Sequence, residues 1–359
     1  MDNSNDTAPG RLLVAMSGGV DSSVAAGLLH EAGVPLVGVF MRNGVSGSSA
    51  ASKSCCSLGD ARDARTVADR LGIPFYVHDM QREFSQLIEA FARDYTEGRT
   101  PNPCVVCNND LKFGELDSLA RELGCVGVVT GHYARLEQGR LSRGHDRAKD
   151  QSYLLHGLDA GQRARARLPL GGLGKGEVRE QARRLKLPVA DKPDSADICF
   201  VPGGDYRAVV SERTGGLGRP GRLIGPSGDV LAEHDGVARF TVGQRRGLGV
   251  ALGEPAYVTS VDAVSGDVHV GPRDALGVDR CRVRDVLWHD GPVEGAVEVQ
   301  LRHHHRPERA QLSVAPDGDV LVAFEQPSGA VCPGQYAVFY HGDLVLGGGR
   351  QESVPGDEA

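Results

Sequence analysis

The sequence predicts an α/β N-terminal domain with a parallel sheet, followed by smaller β domains. Over the first half and somewhat beyond, short apolar runs alternate with amphipathic helical patterns, as in a parallel sheet covered by helices on both faces. After about residue 205 the character changes: Gly and Pro become frequent and short Val-rich runs recur between turn signals, as in small β domains and barrels. The length, 359 residues, exceeds one ordinary domain of ~100–200 residues.

Each element has a local reason. Arg11 to Met16 is an apolar run ending at glycines, and Ser22 to Ala32 is an Ala/Leu helix stopped by Gly33. Val34 to Met41 reads as a strand, Asp60 to Leu71 as a helix closed by Gly72, and Ile73 to Val77 as a strand. Met80 to Asp94 and Leu111 to Leu123 have helical spacing, the second starting near Asn109 and ending at Gly124; Val126 to Thr130 is a buried-type strand. Further on, strands are expected at Val237 to Val242, Ala256 to Val261 and Val268 to Val270. Alternation in Val297 to Leu301, Gln311 to Val314, Asp319 to Phe324 and Gln335 to Tyr340 predicts a small barrel.

Composition narrows the function classes. With 40 basic and 47 acidic side chains the net charge is −7, so the protein is not basic over its whole surface. No run approaches the ~18–20 apolar residues of a membrane helix, and Met1 to Gly10 is polar, so no secretory signal is expected and the localisation is read as cytoplasmic. Eight cysteines (Cys55, Cys56, Cys104, Cys107, Cys125, Cys199, Cys281, Cys332) then read as reduced thiols rather than a disulfide scaffold. Arginine outnumbers lysine 34 to 6, which suggests a GC-rich coding sequence.

Three stretches carry chemistry. Ala15, Met16, Ser17, Gly18, Gly19, Val20, Asp21, Ser22 and Ser23 lie between a strand and a helix, where backbone N–H groups and the positive helix end can hold an anion. The glycines allow close approach to phosphate, and Asp21 could help bind Mg²⁺. No Gly-Lys-Ser/Thr ending follows, so this is not the usual NTPase loop; it resembles the pyrophosphate-binding loop of the N-type ATP pyrophosphatases. The second stretch is Thr100 to Asn108, with Cys104 and Cys107 as a Cys-x-x-Cys pair. That pair is open to three readings: a redox disulfide, part of a metal site, or one catalytic thiol beside a spectator. The third is Lys192 to Phe200, which places Cys199 in an apolar setting after an acidic turn; the residues alone leave it equally readable as a buried, inert thiol.

Together with Thr130-Gly131-His132-Tyr133-Ala134-Arg135, Lys149-Asp150-Gln151-Ser152-Tyr153 and Thr241 to Leu248, these stretches resemble the bacterial tRNA-specific 2-thiouridylases, from about residue 11 to residue 350 and including Pro333 to Tyr340 and Gly347 to Gly349. The resemblance implies an adenine nucleotide alpha hydrolase-like, Rossmann-like domain over 11–205, a small central β domain over 206–275 and a C-terminal β-barrel over 276–350. Residues 1–10 and 351–359 are expected to be loose tails. It implies that Ala15 through Ser22 hold the ATP phosphates, with Met41 and Gly131 bordering the adenine. Cys107 would be the nucleophile and Cys199 the cysteine that receives persulfide sulfur. Asn102, Pro103 and Cys104 would lie near the target base, and His132, Lys149, Asp150, Gln151, Arg302, His303 and Gln335 would contact tRNA.

The implied reaction is 2-thiolation of the wobble uridine of tRNAs for Lys, Glu and Gln, with ATP and Mg²⁺. A cysteine desulfurase or sulfur-relay protein would be the persulfide donor, and a Cys107–Cys199 disulfide would be left. Some members of the family carry Asp where this chain has Cys104, so a second route is a [4Fe–4S] cluster on Cys104, Cys107 and Cys199 with one iron open. Two other classes compete: an ATP-pyrophosphatase-type ligase or synthetase, which has no need of the two thiols, and a nucleotide-dependent RNA-binding module. His303, His304 and His305 are expected on a strand with rings on alternate faces, not as a metal site. Cys55 and Cys56 are expected in a loop; Cys125, Cys281, Cys332 and Trp288 in cores; and Glu177, Arg179 and Glu180 on a solvated helix face. The segment Tyr133 to Lys192 holds 14 basic and 7 acidic residues, net +7, against −14 for the rest of the chain, and marks where RNA phosphate could dock.

Overall fold

The computed structural model describes residues 10–44, 58–194, 198–250, 253–329 and 331–352. The chain divides into two compact units, Met1–Ser85 with Val106–Gly204, and Gln86–Val105 with Asp205–Ala359. Cys55 and Cys56 lie outside the described residues. Among the described residues no helix is long and apolar enough to cross a membrane.

The first unit is built on a five-stranded, all-parallel sheet. Its early elements are β1 (Leu12–Ala15), α1 (Val20–Glu31), β2 (Leu36–Arg42), α2 (Leu58–Leu71), β3 (Phe75–Asp79) and the start of α3 (Gln81–Thr96). The chain re-enters this unit at Val106, the last residue of α4 (Pro103–Val106), and continues with a π-helical stretch Cys107–Glu115, α5 (Leu116–Glu122), β4 (Val128–Val129), the hairpin β5 (Ala134–Glu137) and β6 (Arg140–Arg143), α6 (Ala160–Arg165), β7 (Ala166–Arg167) and α7 (Lys175–Arg184). The order is β3-β2-β1-β4-β7. β1 reads Leu-Leu-Val-Ala with every residue buried, as a central strand covered on both faces requires. α1 packs against α2 and α7, and Val24, Ala25 and Ala26 share one core with Val67, Ala68, Val178 and Ala182. The small residues of α1 allow the close approach: a methyl on Gly27 would come 2.7 Å from Leu185 Cδ1.

One helix start departs from expectation. The chain turns helical at Pro103 rather than near Asn109. Asn102 accepts from Cys104 N at 3.2 Å through Oδ1, and proline at the first helical position needs no N–H partner. Apolar spacing hid this start, because the cap pair precedes the periodic part of the helix.

In the second unit, after α8 (Tyr206–Thr214), come β8 (Gly221–Ile224), β9 (Val230–His234), β10 (Tyr257–Val261) and β11 (Val268–Gly271). They form a small sheet of order β10-β11-β8-β9. The strand expected at Val237 to Val242 is absent. Val237 and Ala238 are fully buried, but their N–H groups bond to Arg219 and Leu217 carbonyls in a 3₁₀ turn. Apolar content there reports burial, not ladder pairing.

Six strands make the barrel: β12 (Val278–Trp288), β13 (Gly295–Gln300), β14 (Glu308–Val314), β15 (Val320–Ser328), β16 (Tyr336–His341) and β17 (Leu344–Glu352). The order β12-β15-β14-β13-β16-β17 is closed by antiparallel pairing of β17 with β12. Its core includes Cys281, Val283, Val299, Leu312, Val322 and Phe339, with Trp288 partly buried against Phe339, ring centroids 5.4 Å apart. The last strand runs past the expected boundary: Gln351 belongs to β17 and is 0% exposed. Its side chain donates to Leu301 O and Tyr336 O, both at 2.6 Å, and accepts from Cys332 N at 3.0 Å. The histidine run is not on a strand either. His303 and His304 sit in a turn after β13 with rings 3.8 Å apart, and His304 has φ +68°. A residue in the left-handed region breaks the pleat that alternate faces would need.

Candidate active site

The Ser17–Ser22 loop, expected to hold phosphate, lies at the carboxyl end of β1, and Gly131 lies just past β4, where the strand order reverses. Crevices at such switch points are where open α/β sheets bind ligands. Ser17 is exposed, Gly19 and Asp21 are half-buried, and Ala15, Met16, Gly18, Val20 and Ser22 are buried. The loop braces itself: Ser17 N donates to Ser22 Oγ at 3.2 Å, and Ser23 Oγ donates to Gly19 O at 2.7 Å. Gly18 has φ +73°, and a methyl there would stand 2.3 Å from Asp60 O, so both conformation and space demand glycine. Gly131 is pressed on the same structure, since a Cβ would meet Ser22 N and Asp21 C at 2.7 Å. Met41 is half-buried at the carboxyl end of β2.

Around this loop stands a charged network that sequence reasoning missed. Lys175 Nζ, at the first turn of α7, contacts Asp21 Oδ1 at 2.7 Å and Oδ2 at 3.0 Å, and Asp194 Oδ1 at 2.8 Å. Tyr133 donates its hydroxyl to Asp21 Oδ1 at 2.7 Å; burial and the Asp21 charge raise its pKa, so it stays protonated. Lys192 Nζ donates to Gly18 O at 2.9 Å, Asp60 Oδ1 at 2.7 Å and Asp63 Oδ2 at 2.5 Å. Asp194 gathers Lys149 at 2.9 Å and Arg179 at 2.9 Å as well as Lys175. Burial pushes its carboxyl up, but the hydrogen bonds from Lys175 and Lys149 outweigh this and hold it at about 2. Arg179 also donates to Lys192 O at 3.2 Å, so it is a tie rather than part of a solvated face. One signal could have found the network: three of the chain's six lysines, Lys149, Lys175 and Lys192, hold specific partners here in a protein that otherwise uses arginine.

The thiols divide by burial. Cys104, Cys107 and Cys199 are half-buried, whereas Cys125, Cys281 and Cys332 are buried; burial pushes the Cys281 thiol up to about 12. Cys107 opens the π-helical stretch, a form that recurs at functional sites. The stretch is clamped from outside. Asn108 Nδ2 donates to Leu154 O at 3.0 Å, and Gln162 Nε2 donates to Asn109 O at 2.9 Å and Phe113 O at 3.2 Å. Cys199 sits in a turn closed by Val201 N on Ile198 O at 2.9 Å, ahead of the buried Phe200 and Val201.

The residues expected to meet RNA are not alike. Lys149 and Gln151 are half-buried, and Gln151 Oε1 accepts from Tyr133 N at 3.0 Å. Asp150 is buried and clamps its own loop, accepting from Gly144 N at 2.8 Å, Ser152 N at 3.1 Å and Ser152 Oγ at 3.0 Å. His132 is 7% exposed, with Nδ1 2.7 Å from Thr130 Oγ1. Burial and the neighbouring Lys112 charge hold its pKa well below the usual histidine range, so the ring is neutral at pH 7. In the second unit Asn102 and Cys104 are half-buried and Pro103 is buried. Gln335 Nε2 donates to Thr100 O at 2.9 Å, and Thr100 N donates to Pro333 O at 2.8 Å, which ties the strap before Cys104 to the turn before β16. Arg302 donates to Val242 O at 3.3 Å, and His303 is half-buried. Among the described residues no group of three or more His, Cys, Asp or Glu side chains is placed to hold a metal ion.

Comparison with known proteins agrees with this architecture along the chain. Residues 10–203 match the family model described as a tRNA methyl transferase HUP domain, residues 213–272 a tRNA methyl transferase PRC-barrel domain, and residues 278–350 an aminomethyltransferase beta-barrel domain. The tRNA-specific 2-thiouridylase MnmA of Rhodospirillum centenum is 47% identical over 364 residues, covering 96% of this chain and 93% of its own. That of Geobacter metallireducens is 46% identical over 354 residues, covering 94% and 96%. That of Chloroflexus aurantiacus is 47% identical over 348 residues, covering 94% and 97%. With near-complete coverage on both sides and a nucleotide-type loop at the switch point of its parallel sheet, this chain belongs to the tRNA-specific 2-thiouridylase family.

Proposed function

We propose that the protein catalyses ATP-dependent 2-thiolation of the wobble uridine of tRNAs for Lys, Glu and Gln. The observation that carries this reading is one compact unit holding both an anion-ready phosphate loop and two half-buried thiols, Cys107 and Cys199, far apart in sequence. A uracil C2 oxygen is a poor leaving group. Its attack on the α-phosphorus of ATP expels pyrophosphate and turns that oxygen into part of AMP, which leaves readily. Cys199 carries the transferable sulfur as a persulfide from a cysteine desulfurase or sulfur-relay protein. The Cys107 thiolate attacks the Cys199 sulfur, the S–S bond of the persulfide breaks, and hydrosulfide is released with a Cys107–Cys199 disulfide left behind. Hydrosulfide adds to C2, the C–O bond to AMP breaks, and a two-electron dithiol reductant restores both thiols. The wobble base, in a single-stranded loop, can leave its stack to reach such a site.

The exposed serine and half-buried glycine of the loop suit the polyphosphate of ATP, with Met41 and Gly131 bordering the adenine. One carboxylate beside substrate phosphates is the usual protein share of a Mg²⁺ site, and Asp21 is the group that would hold it, supplying charge neutralisation on the polyphosphate. Asn102, Pro103 and Cys104 would face the target base, and Lys149, Gln151, Arg302, His303 and Gln335 supply groups toward RNA. His132 and Asp150, being buried, would act on RNA through the loops they hold. The test is mass spectrometry of nucleosides from unthiolated tRNA incubated with ATP, Mg²⁺ and a persulfide source. Wild type should form 2-thiouridine, while Cys107→Ser and Cys199→Ser should lose it by more than a hundredfold (about 10²–10⁴ for loss of a positioned catalytic group) and still bind ATP and tRNA. Normal thiolation by either variant would refute the thiol roles, and no 2-thiouridine with wild type would refute the function.

A further inference from the structure

We propose that Lys175 is the cation that receives the β- and γ-phosphates of ATP, a binding role resting on the nucleotide reading above. The phosphate loop contains no lysine or arginine; its one charged side chain from Ser17 to Ser22 is the anionic Asp21. Beyond the Mg²⁺ that Asp21 would hold, a polyphosphate with three or more negative charges calls for a side-chain cation from outside the loop, since backbone N–H groups carry only partial charge. Among the described residues two ammonium groups reach the loop, and their partners separate their roles. Lys192 spends its donors on Gly18 O and on two different carboxylates, Asp60 and Asp63. It ties the loop backbone to α2 and has nothing to give up without freeing two buried or half-buried acids.

Lys175 is placed differently. Two of its three short contacts go to one carboxylate, Asp21, whose Oδ1 also accepts from Tyr133. Its side chain is only 14% exposed, and its Nζ lies over the Tyr133 ring, 5.7 Å from the centroid, so its direction is fixed toward the loop. Asp194 holds the same ammonium from behind at 2.8 Å and is itself held by Lys149 and Arg179. Asp21 is thus a stand-in anion: the incoming phosphate takes its place on Lys175, while Tyr133 keeps the displaced carboxylate oriented and Asp194 keeps the ammonium in position. Lysine serves here because a compact charge with three rotatable donors can exchange one oxygen partner for another without moving its stem, which a planar guanidinium cannot do.

The experiment measures binding of α,β-methylene-ATP, pyrophosphate and AMP by calorimetry with Mg²⁺, in wild type, Lys175→Met and Lys175→Arg. Lys175→Met should weaken the triphosphate analogue and pyrophosphate by at least about tenfold, the value of one charge-assisted hydrogen bond, with AMP within about threefold of wild type. Lys175→Arg should fall between. Equal loss for AMP and the triphosphate analogue, or no loss for either, would overturn the proposal. Should Lys175→Met fail to fold, wild type labelled with adenosine diphosphopyridoxal, reduced with borohydride and mapped by peptide mass spectrometry decides the matter. The label should fall on Lys175 and be blocked by the triphosphate analogue; label on Lys149 or Lys192 with none on Lys175 refutes it. Wild type that binds the analogue through Lys175 yet never thiolates tRNA would refute the proposed function and leave this assignment standing.

Discussion

At the residue scale, position in the fold changes what a side chain does. His132 looks like an outward RNA contact in the run Thr-Gly-His-Tyr-Ala-Arg, yet it is buried on the Thr130 hydroxyl and kept neutral by burial and by Lys112. Its pKa is lowered in the folded state, so below about pH 6.5, the unfolded value, the unfolded chain binds a proton that the folded one does not. Stability should therefore fall with decreasing pH from about 6.5, by at most about 1.4 kcal/mol per pH unit from this group. Denaturant unfolding of wild type and His132→Asn at pH 7.5, 6 and 5 checks it: the variant should lose less stability on acidification. Equal slopes would show that His132 titrates normally in the folded state.

At the element scale, the helix bearing Cys107 shows how a local irregularity is held in place. A π-helical stretch of nine residues is a rare departure from the α-helix, and its carbonyls at Asn109 and Phe113 take a donor from the Gln162 side chain. Gln162 also closes a capping box on α6, with Asp159 N donating to its Oε1 at 3.0 Å. Gln162→Leu should destabilise the protein by about 1–3 kcal/mol, the cost of leaving such acceptors unsatisfied. Amide exchange should rise in 107–115 before it rises in the parallel sheet. Exchange rising uniformly would mean that the clamp is not specific to the π-helical stretch. The cap at Asn102 and Pro103 lies where the sequence reading expected a loop, and the change of helical pitch was not legible either, because it depends on α6, more than forty residues downstream.

At the scale of the whole molecule, closure and charge are settled by partners distant in sequence. Closure of the barrel brings Gln351 of β17 against Leu301, Cys332 and Tyr336. Gln351→Leu keeps the volume and removes every side-chain hydrogen bond, so it should cost about 2–4 kcal/mol, seen as an earlier thermal transition; a change under about 0.5 kcal/mol would show that water replaces the amide. Charge follows the same rule. The net +7 of Tyr133 to Lys192 is largely met by carboxylates from outside the segment: Arg165 pairs with Asp117, Lys175 with Asp21, Arg184 with Glu31, and Lys192 with Asp60 and Asp63. A local surplus in the sequence therefore overstates the field left for RNA, because carboxylates from outside the segment fold onto it.

The sequence by itself determined the fold class and the strand–helix order around the Ser17–Ser22 loop. These rest on short-range causes: period, glycine conformation and the polarity of a helix start. It also singled out Cys107 and Cys199 within recognisable motifs. Only the tertiary structure decided that Asp21 faces Lys175 and Tyr133, that Lys192 ties Gly18 to α2, and that Asp150 and His132 are buried. Each of those contacts joins residues whose spacing along the chain carries no periodic signal, and an ion pair across more than a hundred residues exists only once the sheet has brought its ends together.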